Sequence, residues 1–166
     1  NYQKKYPLIR KYESFLHKRM NLIIPNSNAA YKELLEEGVD KNKLKIIYNG
    51  VNKVEQDFEK ILFKKKLGLN KDNIVILIVA NLIKYKGHIN LLKALKKLNE
   101  DYSNWKLLVI GNNYGEKINL NKFINKNVKL KNKISFYENK VDLSDYYRAS
   151  DINLNISSEE SFSNAI

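Results

Sequence analysis

The sequence predicts an α/β protein in which a parallel sheet is covered by helices on both faces. The first observation is a continuous apolar run over residues 74–80, the pattern of a strand buried on both sides. The second is that strand-like and helix-like segments alternate from this run onward, at about the spacing of a strand–helix–strand unit. The third is that glycines close several of the predicted elements, as at Gly38, Gly68 and Gly111.

The first part of the chain predicts short helices and strands. Asn26-Ser27-Asn28 supplies capping side chains for a helix that Gly38 is placed to end. Asn49-Gly50 is a turn dipeptide, and we place a boundary between two parts of the chain there. In order, the predicted elements are a helix over residues 7–20, a strand over 22–24, a helix over 29–37, a strand over 45–48 and a Lys-rich helix over 58–67.

The second part of the chain alternates more regularly. In the helix after the first long strand, Ile89, Leu92, Leu95 and Leu98 recur at helical spacing and are expected to face the core. In the last predicted strand, apolar residues alternate with polar ones, which predicts a buried strand. In order, the predicted elements are strands over residues 74–80, 105–110, 134–137 and 152–156, with helices over 88–98, 119–127 and 143–149 between them.

The chain has a formal net charge of +12, and nearly all of its positive charge is lysine. An excess of Lys, Asn and Ile is typical of an AT-rich coding sequence, which explains the charge without a ligand. Attraction to anionic lipid headgroups or anionic substrates is the alternative. Because no RNA-binding aromatic strand or Cys/His finger is evident, no nucleic-acid partner is expected. The lack of cysteine excludes a disulfide framework and a cysteine zinc site.

The loop that follows the first long strand contains the first candidate site. In the run ANLIKYKGH over residues 80–88, Lys86 stands beside Gly87 just before a helix. A lysine at this place can direct its ammonium group into the crevice at the carboxyl edge of the sheet, while glycine allows close backbone approach. Lys86 is therefore a candidate phosphate contact, with a solvated loop lysine as the alternative. His88 is expected to pack near the helix start, and Lys84 to be solvated.

Gly111 and the turn around Glu160 are the other candidates. Gly111 ends a strand, where it permits a sharp turn for structural reasons or beside a ligand. Glu160 can accept hydrogen bonds from sugar hydroxyls, or it can simply favour the dipole of the helix that follows. Ser163 and Asn164 stand at the predicted start of that helix, whose free N–H groups can hold a phosphate. The sequence has no Asp-x-Asp motif and no cluster of metal ligands, so no metal or other cofactor is expected.

Four segments, taken in order, carry a family resemblance. They are KIIYNGV at residues 45–51, VANLIKYKGH at 79–88, LVIG at 108–111 and YRASDINLNISSEESFSNAI at 147–166. Together they resemble the glycosyl transferases of group 1, the family 4 retaining enzymes with the GT-B fold. The resemblance implies two Rossmann-like domains with a cleft between them. Residues 1–50 would end the N-terminal, acceptor-side domain, and residues 51–166 would form a nucleotide-sugar-binding domain truncated at its C-terminus.

The resemblance also implies a role for each matching residue. Lys86 would contact the donor diphosphate and Glu160 the transferred sugar, which makes these two the predicted catalytic residues. Asn81 stands where the family often has arginine, and an amide there lacks the fixed charge of a guanidinium group. The stretch 137–141 falls where such enzymes hold the nucleotide base. The predicted donor-binding residues are Asn81, Lys86, Gly87, Gly111, Glu160, Phe162, Ser163 and Asn164.

The activity implied for the full-length protein is that of a retaining glycosyltransferase of the hexosyltransferase type. It would transfer a sugar from a nucleotide-diphosphate sugar, without a metal, to a glycan or lipid-linked acceptor in glycan, polysaccharide or glycolipid synthesis. We expect the chain to be a fragment that is inactive alone, and the protein to be cytoplasmic, with contact to the inner face of an anionic membrane left open. The alternatives are a nucleotide-sugar 2-epimerase of the same architecture and a non-enzymatic, basic nucleic-acid-binding α/β module.

Overall fold

The computed structural model describes residues 7–50, 59–140 and 142–158. The chain divides into two compact units, one within residues 1–53 and the other within residues 54–158. The helices are α1 (Pro7–Arg19), α2 (Asn28–Glu36), α3 (Lys60–Lys66), α4 (His88–Asp101), α5 (Lys117–Lys126) and α6 (Ser144–Ala149). The strands are β1 (Ile74–Val79), β2 (Trp105–Ile110), β3 (Ile134–Tyr137) and β4 (Ile152–Asn153). None of the helices described is long and apolar enough to cross a bilayer.

The first unit contains α1, α2 and a 3₁₀ turn at Lys41–Lys43. The side chain of Ser27 caps α2, because its Oγ accepts a hydrogen bond from the Ala30 N–H at 3.1 Å. After the helix, Gly38 has a φ of +85°, the left-handed conformation expected of a residue that ends a helix. The predicted cap and terminator of this helix are therefore confirmed.

The two strands predicted in the first unit, over residues 22–24 and 45–48, are wrong as strands. The structure has a single parallel bridge there, between Ile23 and Leu44. Two hydrogen bonds flank this bridge, one from the Ile23 N–H to the Lys43 carbonyl and one from the Lys45 N–H to the Ile23 carbonyl. Each segment pairs only with the other in the described part of this unit, and an isolated pair has little to extend its ladder.

The strands of the second unit form one parallel sheet in the order β3-β2-β1-β4. The central strand β1 pairs with β2 along its whole length, from Ile74 opposite Trp105 to Val79 opposite Ile110. Both central strands are almost entirely buried, which explains why the sequence of β1 is a continuous apolar run. The predicted α/β fold with a parallel sheet is confirmed.

The last strand, β4, is shorter than the strand predicted over residues 152–156. Its ladder with β1 ends at Asn153, and Ile152 is 45% exposed rather than buried. The reason is that β4 lies at an edge of the described sheet and pairs on one side only. Leu154 and Ile156 nevertheless pack against the core, so the loop beyond β4 remains in contact with the sheet.

Helices cover both faces of the sheet, as predicted. Successive residues of β1 point to opposite faces, so that Ile76 and Ile78 belong to one core cluster and Val75 and Leu77 to the other. The first cluster is completed mainly by α4, α5 and β2 through Leu91, Leu92, Leu95, Leu120, Ile124, Leu107 and Val109. The second includes Leu108, Ile110 and Tyr146, with Leu67, Leu69, Leu143 and Tyr147 packed against it. Leu98 is an exception to the predicted inward stripe, since it is exposed on α4.

An ion pair with a buried lysine lies at the amino edge of the sheet, and no sequence pattern predicted it. Lys64 of α3 is only 5% exposed, and its Nζ lies 2.8 Å from Oδ2 of Asp151. The same Oδ2 accepts a hydrogen bond from the Val75 N–H at 2.8 Å, while Oδ1 pairs with Nζ of Lys60 at 2.9 Å. Nζ of Lys64 also donates to the Asn73 carbonyl at 2.7 Å. These contacts fasten α3 and the start of β4 to the start of β1.

Candidate functional site

Four loops meet at the carboxyl edge of the sheet, because all four strands run in the same direction. Their described residues are 80–87 after β1, 111–116 after β2, 138–140 and 142–143 after β3, and 154–158 after β4. In open α/β sheets this edge is where ligands bind. The loop after β1, which comes from the centre of the sheet, contains Lys86.

Lys86 lies in a 3₁₀ turn, Lys84–Lys86, that leads directly into α4. Gly87 closes the turn with a φ of +77°, a left-handed conformation that favours glycine, and its N–H donates to the Lys84 carbonyl at 3.3 Å. The Lys86 side chain is half-buried, and its Nζ lies 5.2 Å from the centre of the Tyr85 ring. Lys84, in contrast, is exposed, as expected. The turn thus holds one lysine against the protein and leaves the other in solvent.

The loop after β4 is fastened to this turn by two contacts. The Tyr85 carbonyl accepts a hydrogen bond from the Ser158 N–H at 2.9 Å and another from the Ser158 hydroxyl at 3.1 Å. The Gly87 backbone lies so close to Ile156 that an added Cβ would be 2.6 Å from the Ile156 carbonyl oxygen. Gly87 is therefore needed for two reasons, its positive φ and this close approach. Neither the hydrogen bonds of Ser158 nor the close approach of Ile156 could be predicted from the sequence motif.

Gly111 permits a second close approach, between the chain after β2 and the end of β1. A Cβ on Gly111 would lie 2.1 Å from the Ala80 carbonyl oxygen, a distance that no side chain can occupy. The Gly111 N–H also donates to the Tyr137 carbonyl at 3.0 Å, and this bond links the ends of β2 and β3. Of the two interpretations of Gly111, the structural one has direct support from these contacts. Its predicted role in donor binding stays a prediction.

Three asparagines connect the loops after β1, β2 and β3. The Asn81 Oδ1 accepts a hydrogen bond from the Asn112 N–H at 3.0 Å, and the Asn112 Oδ1 accepts one from the Asn139 N–H at 2.9 Å. Asn139 has a φ of +54°, a conformation that asparagine adopts more readily than most residues. Asn81 therefore positions a neighbouring loop by accepting a hydrogen bond. Arginine could not form this bond, because its side chain has no acceptor. The sequence did not predict these roles for Asn112 and Asn139. The one feature that pointed to them was an asparagine in each of two predicted loops.

His88, the first residue of α4, is buried below the Lys86 turn. Within the described part of the chain, neither ring nitrogen has a hydrogen-bond partner of normal geometry. Burial lowers the pKa of His88 and the charge of Lys86 adds to this, while a backbone group of Ala80 and the charge of Glu116 act in the opposite direction. His88 thus packs at the helix start, as predicted, and its neutral form is favoured.

The stretch predicted to hold a nucleotide base begins with Tyr137 at the end of β3. Its ring packs edge-to-face against Tyr146 of α6, with 5.0 Å between the ring centres. The next residue, Glu138, forms an ion pair with Lys117 at the start of α5. Val141, the last residue of the stretch, lies outside the described residues. Base binding by this stretch stays a prediction.

The structure therefore brings part of the predicted site together. Asn81, Lys86, Gly87 and Gly111 all lie in loops at the carboxyl edge of the sheet. The other predicted residues, Glu160, Phe162, Ser163 and Asn164, lie outside the described residues. Within residues 7–50, 59–140 and 142–158, no group of three or more acidic or histidine side chains is arranged to hold a metal ion.

Comparison with known families agrees with this architecture. Residues 59–166 match the family model described as "Glycosyl transferases group 1". The chain belongs to this family. Residues 1–54 match a second model, "Glycosyltransferase Family 4". The predicted family is thus confirmed, while the roles predicted for residues 1–50 and 51–166 as acceptor-side and donor-side domains stay predictions.

The chain matches only part of the length of two curated relatives. The chain is 35% identical over 100 residues to an "Uncharacterized 41.2 kDa protein in cps region" of Klebsiella pneumoniae, which covers 60% of the chain and 27% of that protein. It is 38% identical over 76 residues to an uncharacterized glycosyltransferase of Methanocaldococcus jannaschii, covering 43% of the chain and 19% of that protein. The chain therefore spans about a quarter or less of the length of these relatives.

Solved structures of glycosyltransferases share the fold of this family member. HepE of Anabaena, crystallised with UDP and glucose, has a TM-score of 0.77 at 21% identity. The match covers 92% of this chain and 42% of the HepE chain. A glycosyltransferase of Rickettsia africae matches 92% of the chain and 42% of its own with a TM-score of 0.71 and 26% identity. Sucrose-phosphate synthase of Thermosynechococcus elongatus has a TM-score of 0.73 at 19% identity, covering 93% of the chain and 39% of its own.

Proposed function

We propose that the chain supplies the donor side of a retaining glycosyltransferase. The enzyme transfers a sugar, a hexose in this proposal, from a nucleotide-diphosphate sugar to a hydroxyl of a glycan or lipid-linked acceptor. Membership in the group 1 glycosyl transferases supports sugar transfer. The crystal structure of HepE with UDP and glucose supports a nucleotide-sugar donor, and the cps-region relative supports polysaccharide synthesis.

One observation carries the proposal: the contact between Tyr85 and Ser158. It fixes the turn that contains Lys86 against the segment that leads in sequence to Glu160. The proposal therefore assigns one continuous site to the loops after β1 and β4. In this site Lys86 contacts the donor diphosphate, and Ser163 and Asn164 donate hydrogen bonds to its phosphates. Glu160 accepts hydrogen bonds from hydroxyls of the transferred sugar.

The chemistry requires stabilisation of a leaving group. When the bond between the anomeric carbon and the diphosphate oxygen breaks, negative charge grows on the diphosphate. A half-buried ammonium group next to this oxygen opposes that charge more strongly than an exposed one would, since it is less screened by water. The proposal assigns this task to Lys86 and not to a metal ion. EDTA should then leave the transfer rate unchanged, and a rate restored only by added divalent metal would contradict the assignment.

Donor binding provides the first test, and the two lysines of the turn form a matched pair. Lys86→Ala should weaken the binding of UDP-glucose, GDP-mannose or whichever nucleotide-sugar the chain binds by about tenfold to a hundredfold, the value of one charge-assisted phosphate contact. Lys84→Ala removes an equal charge from the exposed end of the same turn and should leave affinity within about twofold. Isothermal titration calorimetry measures both. Equal losses in the two variants would refute a specific phosphate contact.

Product analysis of the full-length enzyme provides the second test. Glu160→Gln should lower the rate of sugar transfer by about two orders of magnitude while nucleotide-diphosphate affinity stays near the wild-type value. Chromatography of the products distinguishes sugar on an acceptor from an isomerised donor sugar. An isomerised donor without transfer would instead indicate the 2-epimerase. The configuration at the anomeric carbon, followed by NMR, tests the retaining mechanism.

A further inference from the structure

One face of the second unit has a concentration of unpaired lysines. It is formed by α4, the C-terminal part of α5 and the turn Val128–Leu130 that follows. Seven exposed lysines lie on these elements or directly after them, and within the described part of the chain none of their ammonium groups has an ion pair or hydrogen bond with another residue. We call this surface the lysine face, and its members are Lys93, Lys96, Lys97, Lys122, Lys126, Lys129 and Lys131.

The two helices contribute to one continuous surface. Lys96 of α4 lines the same shallow depression as Val128 and Lys129, and Lys93 and Lys97 line a second one together with Phe123 of α5. The acidic residues of this surface are Glu100 and Asp101 at the end of α4, so positive charge is in clear excess. Lysines in the last turn of a helix are favourable in themselves, but most of these lysines lie outside a last turn.

In α3, on the opposite face of the sheet, three of the four lysines are paired, and Lys65 is exposed without an ion pair among the described residues. There Lys60 and Lys64 pair with Asp151, and Lys66 pairs with Asp145. The two helical layers therefore differ in the fraction of their lysines that are paired.

Exposed aliphatic side chains lie within the lysine face. Val128 is 74% exposed and Leu98 is 41% exposed, each beside lysines that line the same depressions. Single exposed apolar residues are common on protein surfaces. Aliphatic groups surrounded by lysines, however, match the boundary between lipid headgroups and acyl chains, where both kinds of group are stabilised.

The position of the lysine face is compatible with an open donor site. Helices that connect parallel strands run back from the carboxyl edge to the amino edge of the sheet. The second half of α4, the end of α5 and the turn after it consequently lie toward the amino edge, away from the loop that contains Lys86. A surface that covers the lysine face leaves the carboxyl edge free.

We propose that the lysine face binds the surface of an anionic lipid bilayer. Its lysines lie among acidic headgroups, and Val128 and Leu98 enter the headgroup boundary. Lysine is a compact point charge that suits a diffuse anionic surface, whereas recognition of individual phosphates in nucleic acid favours the planar fork of arginine, which is missing from this face. The proposal uses no residue of the donor site, so it stands or falls separately from the proposed function.

Vesicle co-sedimentation of the full chain tests the proposal. We expect binding to vesicles in which about a quarter of the phosphatidylcholine is replaced by phosphatidylglycerol, and no binding to phosphatidylcholine alone. Raising the salt concentration from about 0.05 M to about 0.5 M should release the chain, because the interaction is electrostatic. Equal binding to neutral vesicles, or binding that does not respond to salt, would overturn the proposal.

Two triple variants of equal net charge make the test specific. Lys96→Gln, Lys126→Gln and Lys129→Gln together should lower partitioning into the anionic vesicles by at least about tenfold. Lys32→Gln, Lys65→Gln and Lys71→Gln, which remove three exposed lysines from elsewhere, should lower it by less than about threefold. Circular dichroism checks that both variants are folded.

Two outcomes would refute the assignment. If both triple variants lose the same amount, only net charge matters and the lysine face has no special role. If a duplex oligonucleotide competes with the vesicles at lower concentration and loses affinity with the same three lysines, the face is a nucleic-acid surface. Val128→Ser gives an independent check, since it should weaken vesicle binding by about twofold to fivefold without changing any charge.

Discussion

The backbone of Gly87 lies directly against the carbonyl oxygen of Ile156. A Cβ on Gly87 would be 2.6 Å from that oxygen, and two residues further along the chain Ser158 hydrogen-bonds to the Tyr85 carbonyl. The turn that contains Lys86 is thus fixed from two sides by the loop after β4. Residues distant in sequence from Lys86 therefore position the backbone turn that contains it.

Gly87→Ala should destabilise the protein strongly. The left-handed φ of +77° costs alanine about 1–2 kcal/mol, and contact with the Ile156 carbonyl should bring the total to about 3–5 kcal/mol. Gly68→Ala is the matched control, because Gly68 has a φ of +69° and nothing within 4 Å of an added Cβ. Chemical denaturation of both variants separates backbone strain from the clash. Equal losses of unfolding free energy would show that the approach to Ile156 has no energetic role.

Gly111→Ala should be damaging without any contribution from positive φ. An added Cβ would lie 2.1 Å from the Ala80 carbonyl oxygen, so β1 and the chain after β2 must separate at a cost of about 3 kcal/mol or more. Gly50→Ala, where the Cβ has open space, should change the unfolding free energy by less than about 1 kcal/mol. Thermal or urea unfolding distinguishes the two. A Gly111→Ala protein of wild-type stability would show that the loops tolerate separation.

Asp151→Asn should remove the partner of a buried charge. Lys64 would keep its bond to the Asn73 carbonyl but lose its counterion, at a cost of about 2–4 kcal/mol. Asp145→Asn breaks the more exposed pair with Lys66, whose side chain is 64% exposed, and should cost less than about 1 kcal/mol. Urea denaturation near neutral pH compares them. Similar losses in both variants would contradict a special role for the Lys64–Asp151 pair.

The same pair predicts how stability responds to acid. Burial alone would raise the pKa of Asp151, but hydrogen bonds from Lys64, the Val75 N–H and Lys60 outweigh it and hold the pKa below its ordinary value of 3.8. The stabilisation is therefore complete above that value and is lost as the pH falls through the lower pKa of the folded state. Denaturation between about pH 6 and pH 2 should show a steeper acid loss for the wild type than for Asp151→Asn. Parallel curves would refute this contribution.

His88 predicts a second pH dependence, at a higher pH. Burial lowers its pKa from the ordinary value of 6.5, so the unfolded chain binds the proton more readily than the folded one. Stability should fall as the pH drops below about 6.5 toward the folded-state pKa. His88→Leu should keep stability within about 1.5 kcal/mol above pH 7, because no hydrogen bond of normal geometry is lost among the described residues, and should flatten the decline between about pH 7 and pH 5. An unchanged decline would show that other groups cause it.

Periodicity predicted the second unit well because its core is strongly amphipathic. The run over residues 74–80 has few structural alternatives to a strand buried on both faces, and each helix that follows presents apolar residues at helical spacing. Prediction was poorer where few neighbours support an element. The segments at residues 22–24 and 45–48 have strand composition, yet they form one bridge because each pairs only with the other in the described part of the first unit.

The candidate site was predicted through residue type and position after a strand. Lys86 beside Gly87, at the carboxyl end of a buried strand, is informative because parallel strands bring their loops to one edge. The partners of those residues were not predictable in the same way. Asn112, Asn139 and Ser158 act through one or two hydrogen bonds each between loops far apart in sequence, and no local pattern encodes such pairs.

The sequence by itself determined the helices and strands of the second unit, their order and the family, since these depend on local periodicity and on short motifs. Tertiary structure decided which groups meet: Gly87 with Ile156, Tyr85 with Ser158, and Lys64 with Asp151. The physical reason is that each of these contacts joins different strands or loops, whose separation is fixed only when the sheet has formed. A lysine in α3 is chemically identical to its neighbours until packing buries it and an aspartate faces it.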